Sequence, residues 1–327
     1  MLKVSIIIAM YNIEDYIADC IRSCVDQISV SPEDYEIIIV DDGSTDNSPV
    51  VAQETIKGVT NARIISRLNG GLSAARNTGI ENSIGEYLWF VDGDDVIAPN
   101  AISVLIANID RYHSDAYVIN YSTFDGKNKL KTSTFVGLSV PTSGLEYHLK
   151  HNEMLPMMAW LTIYRSEMLI NNGVYFKPNI IHEDFEFSVR AHHLASSIAF
   201  IPEDLYLYRV ERNGSIMNEV LRDNTKSLLS QLCITSSFKE FFNNVDNAFV
   251  RRLYGICAIF FLVKYYHPSC QMTARIKDIF KENKRSLYHD LWHSRQWRLR
   301  VFLIFIICMP RIVISNVCRL WSRQNQI

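Results

Sequence analysis

Three acidic clusters hold the residue types best suited to chemistry. Asp41, Asp42, Gly43, Ser44, Thr45 and Asp46 stand at the end of the apolar run EIIIVD (36–41). Asp92, Gly93, Asp94 and Asp95 end a second such run, EYLWFVD (86–92). Glu183 and Asp184 follow Ile180-Ile181-His182 and open the segment FEFSVRAHHLA. Ionised carboxylates gathered this closely repel one another, so a cation or a set of hydrogen-bond donors must offset them. Hard oxygen ligands at a strand-end turn suit Mg²⁺ or Mn²⁺, which bind through one or two carboxylates plus substrate phosphates. Asp-Gly turns also end strands for purely structural reasons. Two of them, after the two most apolar runs, favour the chemical reading. A carboxylate in the first turn of a helix is held ionised by the helix dipole, which suits either a cap or a general base.

The elements that must position these clusters alternate. VSIIIAM (4–10), EIIIVD, ARIIS (62–66) and EYLWFVD read as strands, and the continuously apolar ones predict burial on both faces. Asn12 is expected to cap a helix in which Ile13, Ile17, Cys20/Ile21 and Cys24/Val25 recur at helical spacing. GLSAARNTGIENS predicts a small-residue helix, and Pro99 sits where a helix running to about Tyr112 would begin. Strand–helix alternation over the first 120 residues predicts an α/β fold, a mainly parallel sheet flanked by helices. Ligands of such sheets lie beyond the carboxyl ends of the strands, where both Asp-rich turns fall. Residues 123–156 are more polar and carry no clear pattern. The expected division is 1–220 for the catalytic domain and 221–327 for a helical region.

Composition narrows the function. The 327 residues are 48% hydrophobic and 21% charged, which excludes a disordered or fibrous chain. A net charge of −2 argues against a surface that coats nucleic acid. Residues 251–327 nevertheless hold 14 Lys/Arg against 3 Asp/Glu, so a basic tail follows an acidic body. Seven scattered cysteines, with only Cys20 and Cys24 close together, read as buried thiols rather than a zinc or disulfide framework. No GxGxxG follows the first strand, which argues against a nicotinamide enzyme. His289 and His293 lack a third ligand in the sequence and read as surface residues.

VSIIIAMYN, EIIIVDDGSTDNS, NGGLSAARNTGI, GEYLWFVDGDD and HEDFEFSVR, in this order and spacing, resemble the family-2 glycosyltransferases of GT-A fold, as in bacterial polysaccharide, capsule and O-antigen synthesis. The resemblance covers roughly residues 1–215. It implies transfer of a sugar from a nucleotide diphosphate, usually UDP, to an acceptor hydroxyl with inversion. It further implies that Ala9 and Tyr11 line the nucleoside pocket, that Asp42 faces the uracil, and that Asn69 and Arg76 contact the nucleotide. Asp92-Gly93-Asp94 matches the DxD motif, with Asp92 near the ribose, Asp94 on Mn²⁺ or Mg²⁺, and Asp95 in support. Asp184 matches the catalytic base, with Glu183 beside it. YLYRVERNGSIM (206–217) is similar to the segment that closes over the diphosphate, to which Arg209 would contribute. Trp160 and Tyr164 suit either sugar stacking or the core, the core being favoured. His182 either tunes the acidic pair or is a plain loop residue.

The chemistry stands without the family. A leaving nucleoside diphosphate gathers negative charge that a divalent ion stabilises. The acceptor hydroxyl must lose its proton as it attacks, which a carboxylate base assists by ~10²–10⁴-fold. No Ser–His or Cys–His arrangement is recognisable, and one inverting displacement needs none. Two rivals remain open here, a sugar-phosphate nucleotidyltransferase and a catalytically idle membrane scaffold.

VFLIFIICM (301–309) is too short to span a bilayer. Arg295, Arg298, Arg300, Arg311, Arg319 and Arg323 surround it, with Trp292, Trp297 and Trp321 at its margins. That pattern predicts a basic, membrane-associating helical extension on an anionic surface. The expected placement is cytoplasmic and peripheral, on the inner face of the cell membrane, with a lipid-linked glycan as acceptor.

Overall fold

The structure is a computed structural model that describes residues 2–133, 140–151, 156–210, 224–266 and 274–294. The chain divides into two compact units, Met1–Asn179 with Glu183–Arg212, and Ile180–His182 with Asn213–Ile327.

In the first unit, Val4–Met10 (β1), Tyr35–Asp41 (β2), Ala62–Ser66 (β3) and Tyr87–Asp92 (β4) pair in parallel, with β1 between β2 and β4 and with β3 outside β2. Their lack of polar alternation has the expected cause. Ile6 and Ile8 join one buried cluster with Cys20 and Cys24 of α1 (Ile17–Val25) and Leu105 of α4 (Ala101–Tyr112). Ile7 points the other way, into a cluster with Ile80 of α3 (Leu72–Glu81) and Phe187 of α7 (Glu183–Leu194). β1, β2 and β4 are buried on both faces, the arrangement that a continuous apolar run requires, whereas the edge strand β3 has no fully buried residue and leaves Arg63 and Ser66 exposed. A short helix, α2 (Ser48–Thr55), follows the first Asp-rich turn.

The first helix starts four residues after its expected opening. Residues 13–16 form a turn in which Tyr16 N–H and Ile17 N–H both donate to Ile13 O. Asn12 lies at φ 51° and its side-chain oxygen accepts from Thr45 N–H at 2.8 Å. The side chain that would have capped the helix is spent on the Asp-rich turn across the sheet edge.

Beyond β4 the parallel expectation fails. Val96–Ile97 (β5), Ala116–Phe124 (β6), Lys129–Ser133 (β7), Thr162–Arg165 (β8) and Ile198–Arg209 (β9) complete a mixed sheet in the order β3-β2-β1-β4-β8-β6-β9-β5, with β7 on β6. β8 runs antiparallel to both β4 and β6, and β6 is parallel to β9. A four-residue strand inserted against the direction of its neighbours has no periodic signature to read. Around it lie α5 (Gly144–His151), a 3₁₀ turn at Ala159–Leu161 and α6 (Ser166–Asn171).

The second unit is helical over its described residues, with α8 (Asn224–Phe241), α9 (Ala248–Tyr266) and α10 (Ala274–His293). The apolar stretch 253–263 is internal, with Phe261 and Leu262 packed with Leu228 of α8 and Leu287 and Leu291 of α10. Among the described residues no helix is long and apolar enough to cross a membrane. The stretch 301–309 and the arginines around it lie outside the described residues.

Candidate active site

Strand register sets the first relationships. Ala9 of β1 stands opposite both Val40 of β2 and Asp92 of β4, and Met10 stands opposite Asp41. Neighbouring strands lie about 4.8 Å apart, so the two Asp-rich turns leave the sheet side by side. Gly93 is needed where it stands, because a Cβ there would lie 2.5 Å from Ile13 Cδ1 and 2.8 Å from Ala9 O.

Arg76 gathers the acidic groups. It is 1% exposed on α3, with its guanidinium 5.1 Å from the Phe176 ring centroid. One terminal nitrogen donates to Asp92 Oδ1 at 2.7 Å. The other donates to Glu183 Oε1 at 3.3 Å and to Asp184 Oδ1. Burial by itself would favour the neutral form of Arg76, but the charges of Asp184, Asp92 and Glu183 outweigh it and raise the pKa. One cation serves three carboxylates, which leaves the cluster acidic. Glu183 is pushed up to about 7 by burial and then by the charge of Asp184, with Arg76 opposing. Asp184 is raised by burial, and Arg76 again opposes. Its Oδ2 accepts from Ala159 N–H at 3.2 Å, and its side chain keeps 23% exposure. A partly accessible carboxylate with a raised pKa is the form a general base takes near neutrality.

The second Asp-rich turn is tied to β9. Asp95 is buried, and its carboxylate accepts from Tyr206 O–H and Arg209 N–H, each at 2.7 Å. The Tyr206 oxygen in turn accepts from Asp92 N–H at 3.2 Å. Arg209 donates from Nε to Asp94 O at 2.7 Å, and its guanidinium lies over the rings of Tyr16 and Phe124. Burial, then the charges of Asp94 and Asp92, push Asp95 well above the usual carboxylate range. That excess of negative charge, on a turn whose Asp92 and Asp94 are both partly exposed, fits a hard divalent cation. Among the described residues no group of three or more His, Cys, Asp or Glu could hold a metal. A divalent ion at this turn would have at most two protein carboxylates, so phosphates and water would have to complete its shell.

At the ends of β1 and β2, Asp42 is 3% exposed and Tyr11 47% exposed. Asn69 donates from its side-chain amide to Asp42 O at 3.0 Å. The Asp42 carboxylate accepts from Gly70 and Gly71 N–H and from Arg67, a residue the sequence reading passed over. The expected residues thus form two groups, Ala9, Tyr11, Asp42 and Asn69 at the ends of β1 and β2, and Asp92, Arg76, Glu183 and Asp184 about one guanidinium. Arg209 joins through the Asp94–Asp95 turn. Arg67 and the Ala159 amide were unforeseen, and Tyr206 opens the segment 206–217 but was not itself singled out. An isolated tyrosine, an arginine in a loop and a backbone N–H carry no spacing signal.

Tyr164 is sealed in the core, edge-on to Phe187, and offers no face to a sugar. Trp160 is 5% exposed and stacks on Tyr206 at 4.3 Å and on Tyr208 at 5.7 Å. His182, in the second unit, meets the Ser227 hydroxyl at 3.0 Å. His289 and His293 stack on one another at 4.1 Å. Cys20, Cys24, Cys233 and Cys257 are free thiols.

Residues 5–172 match the family model described as glycosyl transferase family 2. Among curated proteins, the chain is similar to EpsJ of Bacillus subtilis, an uncharacterized glycosyltransferase, at 32% identity over 216 residues, 64% of this chain and 62% of that one. It is similar to the glycosyltransferase GlyG of Streptococcus pneumoniae at 30% identity over 224 residues, 65% of this chain and 72% of that one. The chain thus spans a little under two thirds of the Bacillus relative. Residues 1–349 of Staphylococcus aureus TarS, crystallised with UDP-GlcNAc, share the fold at a TM-score of 0.69 and 22% identity, over 99% of this chain and 92% of that one.

Proposed function

The chain belongs to glycosyl transferase family 2, and from that membership we propose that it is a GT-A enzyme moving a hexose-type sugar from a UDP-sugar to a hydroxyl of a glycan, with inversion, in cell-surface polysaccharide synthesis. The observation that carries this reading is the single guanidinium of Arg76 joining Asp92 of β4 to Glu183 and Asp184 of α7. It sets the donor turn and the basic carboxylates side by side, as a one-step displacement requires. Support for UDP comes from TarS, whose structure holds UDP-GlcNAc.

In the proposed reaction the acceptor oxygen attacks the anomeric carbon as the bond from that carbon to the diphosphate oxygen breaks. UDP leaves with the bonding electrons, and Asp184 takes the hydroxyl proton, with Glu183 beside it. Ala9, Tyr11, Asp42 and Asn69 border the nucleoside. Arg76 holds Asp92 and Asp184 in place next to the nucleotide, and Arg209 fixes the Asp94 backbone near the diphosphate. Asp94 and Asp92 would hold Mn²⁺ or Mg²⁺, which when bound neutralises charge developing on the diphosphate. Residues 1–220 are proposed to carry this chemistry. The helical region 221–327 is proposed to lie on the anionic inner face of the cell membrane, where a lipid-linked acceptor would be presented.

The test is Mn²⁺-dependent UDP release from UDP-sugars, with and without glycan acceptors. Asp184→Asn should abolish transfer and leave UDP affinity near normal, whereas Asp94→Ala should weaken UDP binding in the presence of Mn²⁺. Pyrophosphate release instead of UDP would indicate the nucleotidyltransferase. A fully active Asp184→Asn enzyme would remove the base assignment.

A further inference from the structure

Phe176, between α6 and α7, is 1% exposed and bears no charge, yet the groups around it come from the elements that carry the charged cluster. On α3, the residue after Arg76 holds its backbone. Asn77 Nδ2 donates to Phe176 O, and Phe176 N–H donates to Asn77 Oδ1, each at 2.8 Å. From α7, Phe187 stacks on the Phe176 ring at 3.8 Å, with the two planes 8° apart. From β4, Phe90 meets the same ring edge-on at 5.0 Å. The guanidinium of Arg76 lies 5.1 Å from its centroid. The preceding residue is held as well. Arg190 of α7, paired with Glu186 through Nε at 2.8 Å and Nη2 at 2.6 Å, donates to Tyr175 O at 2.7 Å.

The cluster depends on the spacing of those same elements. α3 brings Arg76, α7 brings Glu183 and Asp184, and β4 brings Asp92. One guanidinium can serve the three carboxylates only while the elements keep their distances. A single ring touches all of them, and its own place is over-determined, by two backbone hydrogen bonds to α3 and by packing on α7 and β4. The ring also attracts the guanidinium directly, more strongly where water is excluded. A base must stand within hydrogen-bond reach of the proton it takes, and a displacement of about 1 Å can cost 10²-fold in rate.

We propose that Phe176 is a positioning residue for the transfer reaction: clipped to α3 by Asn77 and packed on Phe187 and Phe90, it holds the Arg76 guanidinium in register with Asp92, Glu183 and Asp184. This rests on the reading of that cluster as the site of glycosyl transfer. Phe176 acts through Arg76, and the donor and acceptor do not meet it.

The test is a cycle of four full-length proteins, the wild type, Phe176→Leu, Arg76→Lys and the double variant, measured for turnover with Mn²⁺ and a UDP-sugar and for the urea midpoint. Leucine keeps an apolar side chain and removes the ring. Lysine keeps the charge and loses the planar fork that spans several carboxylates. Turnover should fall roughly 10–100-fold in Phe176→Leu. In the Arg76→Lys background the same substitution should cost less than about threefold, because residues that act through one another are not additive. Asn77→Ala, which frees the backbone of Phe176 and keeps its ring, repeats the cycle if Phe176→Leu fails to fold. An equal loss in both backgrounds, or no loss in either, would mean that the ring only fills space, and would overturn the proposal alone. A wild type that transfers nothing from any UDP-sugar would overturn the donor reading. The urea midpoints decide this inference even then, since they should be non-additive across the cycle and additive midpoints would overturn it.

Discussion

Replacing Arg76 by methionine tests the central cluster, because the substitution keeps most of the volume and removes the one cation among Asp92, Glu183 and Asp184. Removing one partner of a buried ion pair costs about 3–5 kcal/mol, since it leaves uncompensated charge. Here the charge can be discharged by protonation. Glu183 already sits at about 7 in the folded chain, against an ordinary value of 4.5, and without Arg76 it is raised further. The folded variant then binds more protons than the unfolded chain between about pH 4.5 and at least pH 7, so its stability falls as pH rises through that window. Each proton held contributes up to about 1.4 kcal/mol per pH unit. The wild type holds the same proton up to about pH 7, so in urea denaturation the loss should be nearly constant below pH 7 and should widen by up to about 1.4 kcal/mol between pH 7 and pH 8. Adding Glu183→Gln should restore part of the loss at pH 8 and little at pH 5.5. An Arg76→Met penalty equal at the two pH values, or larger at the lower one, would refute the shared-cation account.

The opposite pH sign is expected at His192, which burial and then His148 depress from 6.5 to about 3. Its stabilising neutral form is fully present above pH 6.5 and is lost as pH falls toward 3, amounting to about 2 kcal/mol at pH 5. His192→Gln should flatten the urea midpoint between pH 7 and pH 5, and an unchanged slope would count against it. Tyr206→Phe removes the hydroxyl that links Asp95 to the Asp92 amide, so the variant should lose about 1–3 kcal/mol of stability. Its UDP affinity with Mn²⁺ should fall by more than its affinity without the ion, and equal losses would show that the link does not serve the Asp92–Asp94 turn. Deleting residues 292–327 should shift the protein from the membrane fraction to the soluble one. A truncated chain that stays membrane-bound would rule out the tail as anchor.

Much of the fold near the site was legible because it rests on short-range rules. The apolar runs that became β1, β2 and β4 have both faces covered, and that leaves a mark on nearly every residue. The Asp-rich turns directly follow such runs, so their arrival at one sheet edge is a consequence of parallel pairing. The Glu183–Asp184 pair was legible as carboxylates opening a plausible helix, whereas the role of base came only from the family resemblance. The mixed half of the sheet was not, because β8 takes its direction from the strands it lies between and not from its own four residues. Asn12 misled because its side chain has two uses, and a partner 33 positions away claimed it.

By itself, the order of residues determined which acidic groups exist, which strand each one ends, and which family the chain belongs to. Tertiary structure decided their partners. Whether Arg76 lies in the core among carboxylates or on a surface toward phosphates depends on α3 packing beside α7, elements about 100 positions apart. That Asp42 is covered by Arg67, and Asp95 by Tyr206, depends likewise on segments that meet only when the sheet is assembled. Charges and hydrogen bonds act over a few ångströms of space, and sequence spacing measures that distance only within a single helix or strand.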